Sequence, residues 1–238
     1  MNEKQTAEKQ RVGEKAAALV EDGMIVGLGT GSTAYWFIRK LAERVKGGLR
    51  VTGVATSVKT AELAESLGIR VVDVNEIGEV DLTVDGADEI DPHFNAIKGG
   101  GGALLREKLV ASISRRMAII VDSTKYVERL GRFPLPVGIV PFAYKHTMRK
   151  LEQAGYAPRI REKDGALFVT DGGHYIVDLH LGRIEDPRGL AASISSMPGV
   201  VEHGLFIGLA SEVLVAEGGE VRVMRRHEDG ERIRHGGR

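Results

Sequence analysis

Between residues 24 and 122, short apolar runs alternate with amphipathic stretches, and this rhythm admits few folds. MIVGLG (24–29), LRVTGVAT (49–56), IRVVDV (69–74), VDLTVDG (80–86) and MAIIVD (117–122) read as strands. Residues 32–45, 58–68 and 103–114 carry the helical period, the first with Trp36, Phe37, Ile38 and Leu41. An opening helix over 3–22 sets Val12, Ala16, Leu19 and Val20 on one side. Strands this uniformly apolar are buried on both faces, so the pattern predicts an α/β domain with a parallel sheet covered by helices.

The rhythm changes near residue 131, where GRFPLPVGIVPF holds three prolines in a dozen residues and reads as a boundary. Beyond it come helices over about 144–154 and 187–196, and strands near 157–162, 166–170, 174–180 and 200–206. Turns at Asp164-Gly165 and Asp171-Gly172-Gly173 imply hairpins. The expectation is a small α+β domain over 131–206, with an oligomerisation role open to it. The main domain then comprises 1–130 plus 207–238, FIGLASEVLVA (206–216) returning to the first sheet. RRHEDGERIRHGGR at the end reads as a polar, frayed tail.

Composition narrows the chemistry. Lys plus Arg and Asp plus Glu each total 33, so no net charge draws the chain to nucleic acid or an anionic membrane. With no cysteine, thiol catalysis and Cys-ligated zinc are excluded. The seven histidines show no metal-ligand spacing; His174, His180 and His203 read as surface or strand residues. A charged N-terminus and the lack of a long apolar run make the cytoplasm the expected compartment, with no membrane partner.

Four constellations carry candidate chemistry. Gly27-Leu28-Gly29-Thr30-Gly31-Ser32-Thr33-Ala34 joins a strand to a helix. Its glycines let backbone N–H groups approach an anion at the helix N-terminus, and three hydroxyls add donors. A dinucleotide would need an acidic residue at the end of the next strand, but Thr56-Ser57 stands there and the next carboxylate is Glu62. Phosphate binding is therefore the favoured reading, a capped turn the bland one. Asp85-Gly86-Ala87-Asp88-Glu89 follows a strand's carboxyl end, where ligands of open sheets sit; its carboxylates suit sugar hydroxyls, proton transfer, a weak hard-cation site or simple capping. Lys98-Gly99-Gly100-Gly101-Gly102 puts four glycines ahead of a helix, a loop better explained by a ligand than by a linker. Glu107 has Ala103, Leu104, Val110 and Ala111 as helical neighbours, and periodicity leaves a buried base and a solvated face both open. Lys125, past the MAIIVD strand, and Lys9, in the first helix, are lone lysines of the kind more often solvated.

GLGTGSTA, TSVKT, DGADEID, KGGGGALLREK and FPLPVGIVP, in this order, resemble ribose-5-phosphate isomerase of type A over about residues 9–216. The resemblance implies a Rossmann-like domain with a smaller ferredoxin-like α+β domain. It implies a cofactor-free, metal-free aldose–ketose isomerisation through an enediolate, in a homodimer or homotetramer. By position it makes Glu107 the general base and Thr30, Gly31, Ser32 and Thr33 the substrate-holding loop. Asp85 and Asp88, flanking Gly86 and Ala87, become sugar contacts that assist ring opening. Lys98 with Gly99, Gly100 and Gly101 becomes the loop that stabilises the enediolate or the phosphate. Lys125 becomes another substrate contact, and Lys9 fits a phosphate-side lysine more loosely.

Three alternatives compete. An amino-sugar-phosphate isomerase or deaminase would be expected to use a histidine, and no histidine lies near these motifs, the nearest being His93. A sugar-phosphate-sensing regulator would need a DNA-binding domain, for which about 23 residues before the first strand are too few. A nucleotide-dependent oxidoreductase lacks its acidic residue.

Overall fold

The computed structural model describes residues 3–226. In chain order the elements are α1 (Glu3–Ala17), β1 (Ile25–Leu28), α2 (Ser32–Lys46), β2 (Thr52–Ala55), α3 (Val58–Ser66), β3 (Val80–Asp85), β4 (Glu89–Ile90), β5 (Ala96–Ile97), α4 (Leu104–Ser112) and β6 (Ser114–Asp122). There follow β7 (Leu135–Ile139), α5 (Tyr144–Gln153), β8 (Pro158–Ile160), β9 (Glu162–Lys163), β10 (Ala166–Leu167), β11 (Tyr175–Leu179), α6 (Pro187–Ser195), β12 (Val200–His203), β13 (Leu205–Phe206), β14 (Glu212–Glu217) and β15 (Glu220–Arg225). The described residues pack as two units. The first draws on residues 3–86, Leu109–Tyr126 and residues 208–226, the second on Ala87–Lys108 and Val127–Ile207. Residues 87–108, which the sequence reading grouped with the parallel sheet, thus belong to the second unit by packing.

The first unit is built on a six-stranded sheet of order β2-β1-β3-β6-β14-β15. Its first five strands are parallel and β15 runs antiparallel at the edge. Val26 and Leu28, Leu82 and Val84, Ile120, and Leu214 supply one buried face, covered by Val12 and Ala16 of α1 and Phe37, Ile38 and Leu41 of α2. Each of these side chains larger than alanine contributes about 1.5–3 kcal/mol by leaving water. A Cβ on Gly13 would lie 2.7 Å from the Phe37 backbone nitrogen, so glycine is what lets α1 meet α2 so closely.

One expectation fails here. IRVVDV is not a strand: only Val71 bridges Gly53, and the Asp73 side chain accepts from the Asn75 N–H to cap a 3₁₀ turn over Val74–Glu76. The capping carboxylate offers the backbone a local partner that competes with the ladder. The end of the apolar run 206–216 does join the first sheet, as β14 beside β6. The hairpin strand β15 after it was not foreseen, although Gly218 and Gly219, with φ of 58° and 98°, supply the turn. The rest of the expected polar tail, 227–238, lies outside the described residues.

The second unit holds a four-stranded antiparallel sheet of order β12-β7-β11-β8, with α5 and α6 as its crossovers. This is the ferredoxin-like split βαβ arrangement. Its core joins Leu135, Val137 and Ile139 to Val177, Leu179, Leu151 and Ile194. The proline-rich segment read as a boundary is thus a central strand. Pro136 has no N–H to give, but its carbonyl accepts from Gly204 N at 2.7 Å, and the buried Glu89 carboxylate receives the N–H groups of Gly131 and Phe133 at 2.7 and 2.8 Å. A second, three-stranded sheet, β13-β5-β4, carries the chain from Glu89 to Lys98. No helix among the described residues is long and apolar enough to cross a membrane.

Candidate active site

In the first unit the candidate residues gather where β1 and β3 lie side by side. The order β2-β1-β3-β6-β14 reverses there, the point at which open sheets receive ligands beyond their carboxyl ends. The Asp85 side chain is fully buried, and its Oδ1 accepts from Thr30 N at 3.0 Å and Gly86 N at 2.7 Å. It therefore ties the loop after β1 to the end of β3. Thr30 Oγ1 lies 2.7, 2.9 and 3.2 Å from the hydroxyls of Thr56, Ser57 and Thr60. Where a dinucleotide site would put a carboxylate, this chain has a hydroxyl cluster that fixes Thr30. Gly31, with φ of 111°, opens α2 with no side-chain cap, and the loop's backbone approaches Asp85 so closely that a Cβ on Gly29 would lie 2.5 Å from the Asp85 Cα.

Lys9 is not a solvated surface lysine. Its Nζ donates to Ser32 Oγ at 2.9 Å and lies 3.9 Å from Asp122 Oδ2. Glu8 beside it is buried and accepts from the Ser123 N–H and hydroxyl at 3.2 and 3.0 Å. Those bonds fix the 3₁₀ turn Ser123–Lys125, which presents the half-buried Lys125. Glu8 and Asp122 escaped the sequence reading. The position of Asp122 at the end of the MAIIVD strand was a usable signal; for Glu8 there was none.

In the second unit the decisive pair is Lys98 and Glu107. Both are buried, at 2% and 4% exposure, and Nζ lies 3.5 Å from Oε1. The solvated-face reading of Glu107 is thereby overturned. Lys98 is also held by its backbone N–H on Gly204 O at 2.9 Å, and its ammonium lies 5.4 Å from the Phe206 ring centre. Asp88 turns toward the glycine loop, Oδ2 accepting from Gly100 N at 2.7 Å, while Ala87 is half-buried beside it. Gly99 and Gly102, with φ of 99° and 90°, stand where only glycine sits without strain.

Next to Glu107, Lys108 donates to Glu202 Oε1 at 2.7 Å and to the His203 carbonyl at 2.6 Å. Burial, then the adjacent Lys108 ammonium, pulls His203 down to about 4. Burial likewise lowers Lys108. A histidine lowered from 6.5 stabilises the fold fully above the unfolded value, and that contribution disappears as pH falls toward 4. A shift of this size is worth on the order of 3 kcal/mol. Urea unfolding at pH 7 and pH 4.5 should show a smaller acid loss in His203→Gln than in the wild type; equal losses would refute the link.

Comparison with known proteins now bears on these clusters. The model of the ribose 5-phosphate isomerase A (phosphoriboisomerase A) family matches residues 52–220. The chain belongs to the ribose 5-phosphate isomerase A family. The family's ribose-5-phosphate isomerase A of Rhodopseudomonas palustris (strain HaA2) is 55% identical over 225 residues, covering 92% of this chain and 97% of that protein. The solved isomerase A of Methanocaldococcus jannaschii is 38% identical with a TM-score of 0.88, over 92% of this chain and 99% of that one. A D-ribose-5-phosphate isomerase solved in complex with phospho-erythronic acid is 33% identical with a TM-score of 0.91, over 95% of this chain and 100% of that one. The model of the DeoR C-terminal sensor domain also matches residues 4–74, a stretch that ends before Asp85 and Lys98.

Proposed function

We propose that the chain interconverts ribose 5-phosphate and ribulose 5-phosphate through an enediolate, with Glu107 moving the proton. The observation that carries this is the buried Lys98–Glu107 pair, 3.5 Å apart. Glu107 takes the C2 proton of the open-chain aldose and returns it to C1, while O1 gains the proton that O2 loses. The Lys98 ammonium stabilises the oxyanion that develops between these steps. Thr30, Gly31, Ser32 and Thr33 hold the phosphate with the uncapped N–H groups of α2, Lys9 adding charge through its place on Ser32. Asp85, Gly86, Ala87 and Asp88 are read as sugar contacts, Gly99, Gly100 and Gly101 as a substrate loop and Lys125 as a further cation. A relative's complex with phospho-erythronic acid supports a site for a phosphorylated sugar acid. The assembly we propose is a homodimer or homotetramer, formed through the ferredoxin-like unit.

Proton NMR of EDTA-treated protein with ribose 5-phosphate in D₂O tests the reading. Ribulose 5-phosphate should form, with deuterium entering at the exchanging carbon; saturable binding without turnover would reject it. Gly29→Ala should lower kcat/KM at least tenfold, because the new methyl meets the Asp85 backbone, which cannot step aside as a side chain can. Unchanged kinetics would show that the loop geometry has no part in catalysis.

A further inference from the structure

Four consecutive glycines leave the backbone of residues 99–102 with more freedom than any other sequence would, and the loop's own turn bond, Gly102 N–H to Gly99 O at 2.9 Å, leaves room for an outside contact to help select its conformation. The second unit supplies it from β8 and β11. Arg161, just beyond β8, donates Nη1 to Gly99 O at 2.9 Å and to Gly100 O at 3.1 Å. Its other edge grips Asp178 of β11, Nε to Oδ2 at 2.8 Å and Nη2 to Oδ1 at 2.5 Å. Register makes the grip rigid, for Asp178 pairs across the sheet with Arg159, two residues before Arg161. The guanidinium also lies 5.8 Å from the Phe168 ring centre, and that ring fills the space where a Cβ on Gly102 would fall, 2.5 Å away.

The consequence follows from peptide planarity, because the N–H of each peptide unit points opposite to its carbonyl. With the Gly99 carbonyl on Arg161, the Gly100 N–H must point away from it, and it meets Asp88 Oδ2 at 2.7 Å. With the Gly100 carbonyl also on Arg161, the Gly101 N–H is turned to the side on which Asp88 lies, and a Cβ on Gly101 would meet open space.

We propose that Arg161, buttressed by Asp178, is a positioning residue that holds the Gly99–Gly101 loop with the Gly100 N–H on Asp88 and the Gly101 N–H turned to the same side for substrate. This rests on the reading of Gly99–Gly101 as the substrate loop. Lys98 is anchored separately, by Gly204 and Phe206, so losing the clamp acts on binding more than on the chemical step.

Steady-state kinetics with ribose 5-phosphate, alongside thermal unfolding, test it. Arg161→Met should raise KM about tenfold or more while kcat falls less than threefold. Asp178→Asn, which keeps both bonds to the loop, should raise KM less than Arg161→Met. Arg161→Lys, a point donor with no fork, should fall between them. If Arg161→Met does not fold, the order wild type, Asp178→Asn, Arg161→Lys in rising KM carries the test. A KM within twofold of wild type in Arg161→Met, or in Arg161→Lys if it alone folds, overturns the proposal. So does a KM that merely tracks lost thermal stability across the series. Gly101→Val separates the two readings. If it leaves KM unchanged, the loop does not meet substrate and the underlying reading fails. If it raises KM while the Arg161 variants do not, only the clamp fails.

Discussion

Glu107→Gln should cut kcat at least 10²-fold and leave KM within a few-fold of the wild type. The amide keeps the carboxylate's shape in a site where the side chain is 4% exposed, so the packing of α4 is preserved. It cannot accept a carbon-bound proton, and positioned general acid–base groups contribute about 10²–10⁴-fold. Equal loss in kcat and kcat/KM would mark an interaction made only in the transition state. Wild-type-like turnover would reject Glu107 as the base and with it the proposed course of the reaction.

Lys98→Met should damage the protein twice. Turnover should fall by at least 10²-fold, because the ammonium that offsets the oxyanion is gone. Stability should fall as well, because the buried Glu107 carboxylate loses the Lys98 ammonium 3.5 Å away. The double variant Lys98→Met/Glu107→Gln should recover most of the stability and none of the activity, an opposition readable by urea unfolding beside the kinetic assay. A Lys98→Met enzyme that binds poorly but turns over normally at saturation would confine Lys98 to the phosphate. An additive double variant would show that the pair is not coupled.

The parallel sheet was legible because its strands are buried on both faces and leave uniformly apolar runs, as MAIIVD does. The ferredoxin-like unit was legible as hairpins and helices, but β7 was not. Prolines read as breakers, and only the tertiary partners Gly204, Asp178 and Glu202 make Leu135–Ile139 a central strand. The two-residue strands β4, β5 and β13 are shorter than any period and leave no pattern. In the site, DGADE and KGGGG announced themselves through glycine beside charge. Glu107 could be placed on a helix but not on a face, because α4 has apolar residues all round, even the exposed Leu109. Arg161 could not be found at all: its role depends on reaching a loop some 60 residues earlier in the chain, and nothing local distinguishes it from any other arginine in a hairpin.

The path of the chain through the first unit sets the order in which the molecule can be made. β6 has β3 as one neighbour and β14 as the other, and β14 begins 90 residues after β6 ends, at Glu212 rather than Asp122. On the ribosome the central sheet must wait, one side of β6 open, until almost the whole protein has been synthesised. Such distant pairing makes closure a late and slow event, and the waiting edge is a template for unwanted strands. The antiparallel β15 follows at once through the Gly218-Gly219 turn, so the last strand to emerge caps the edge that β14 has just created.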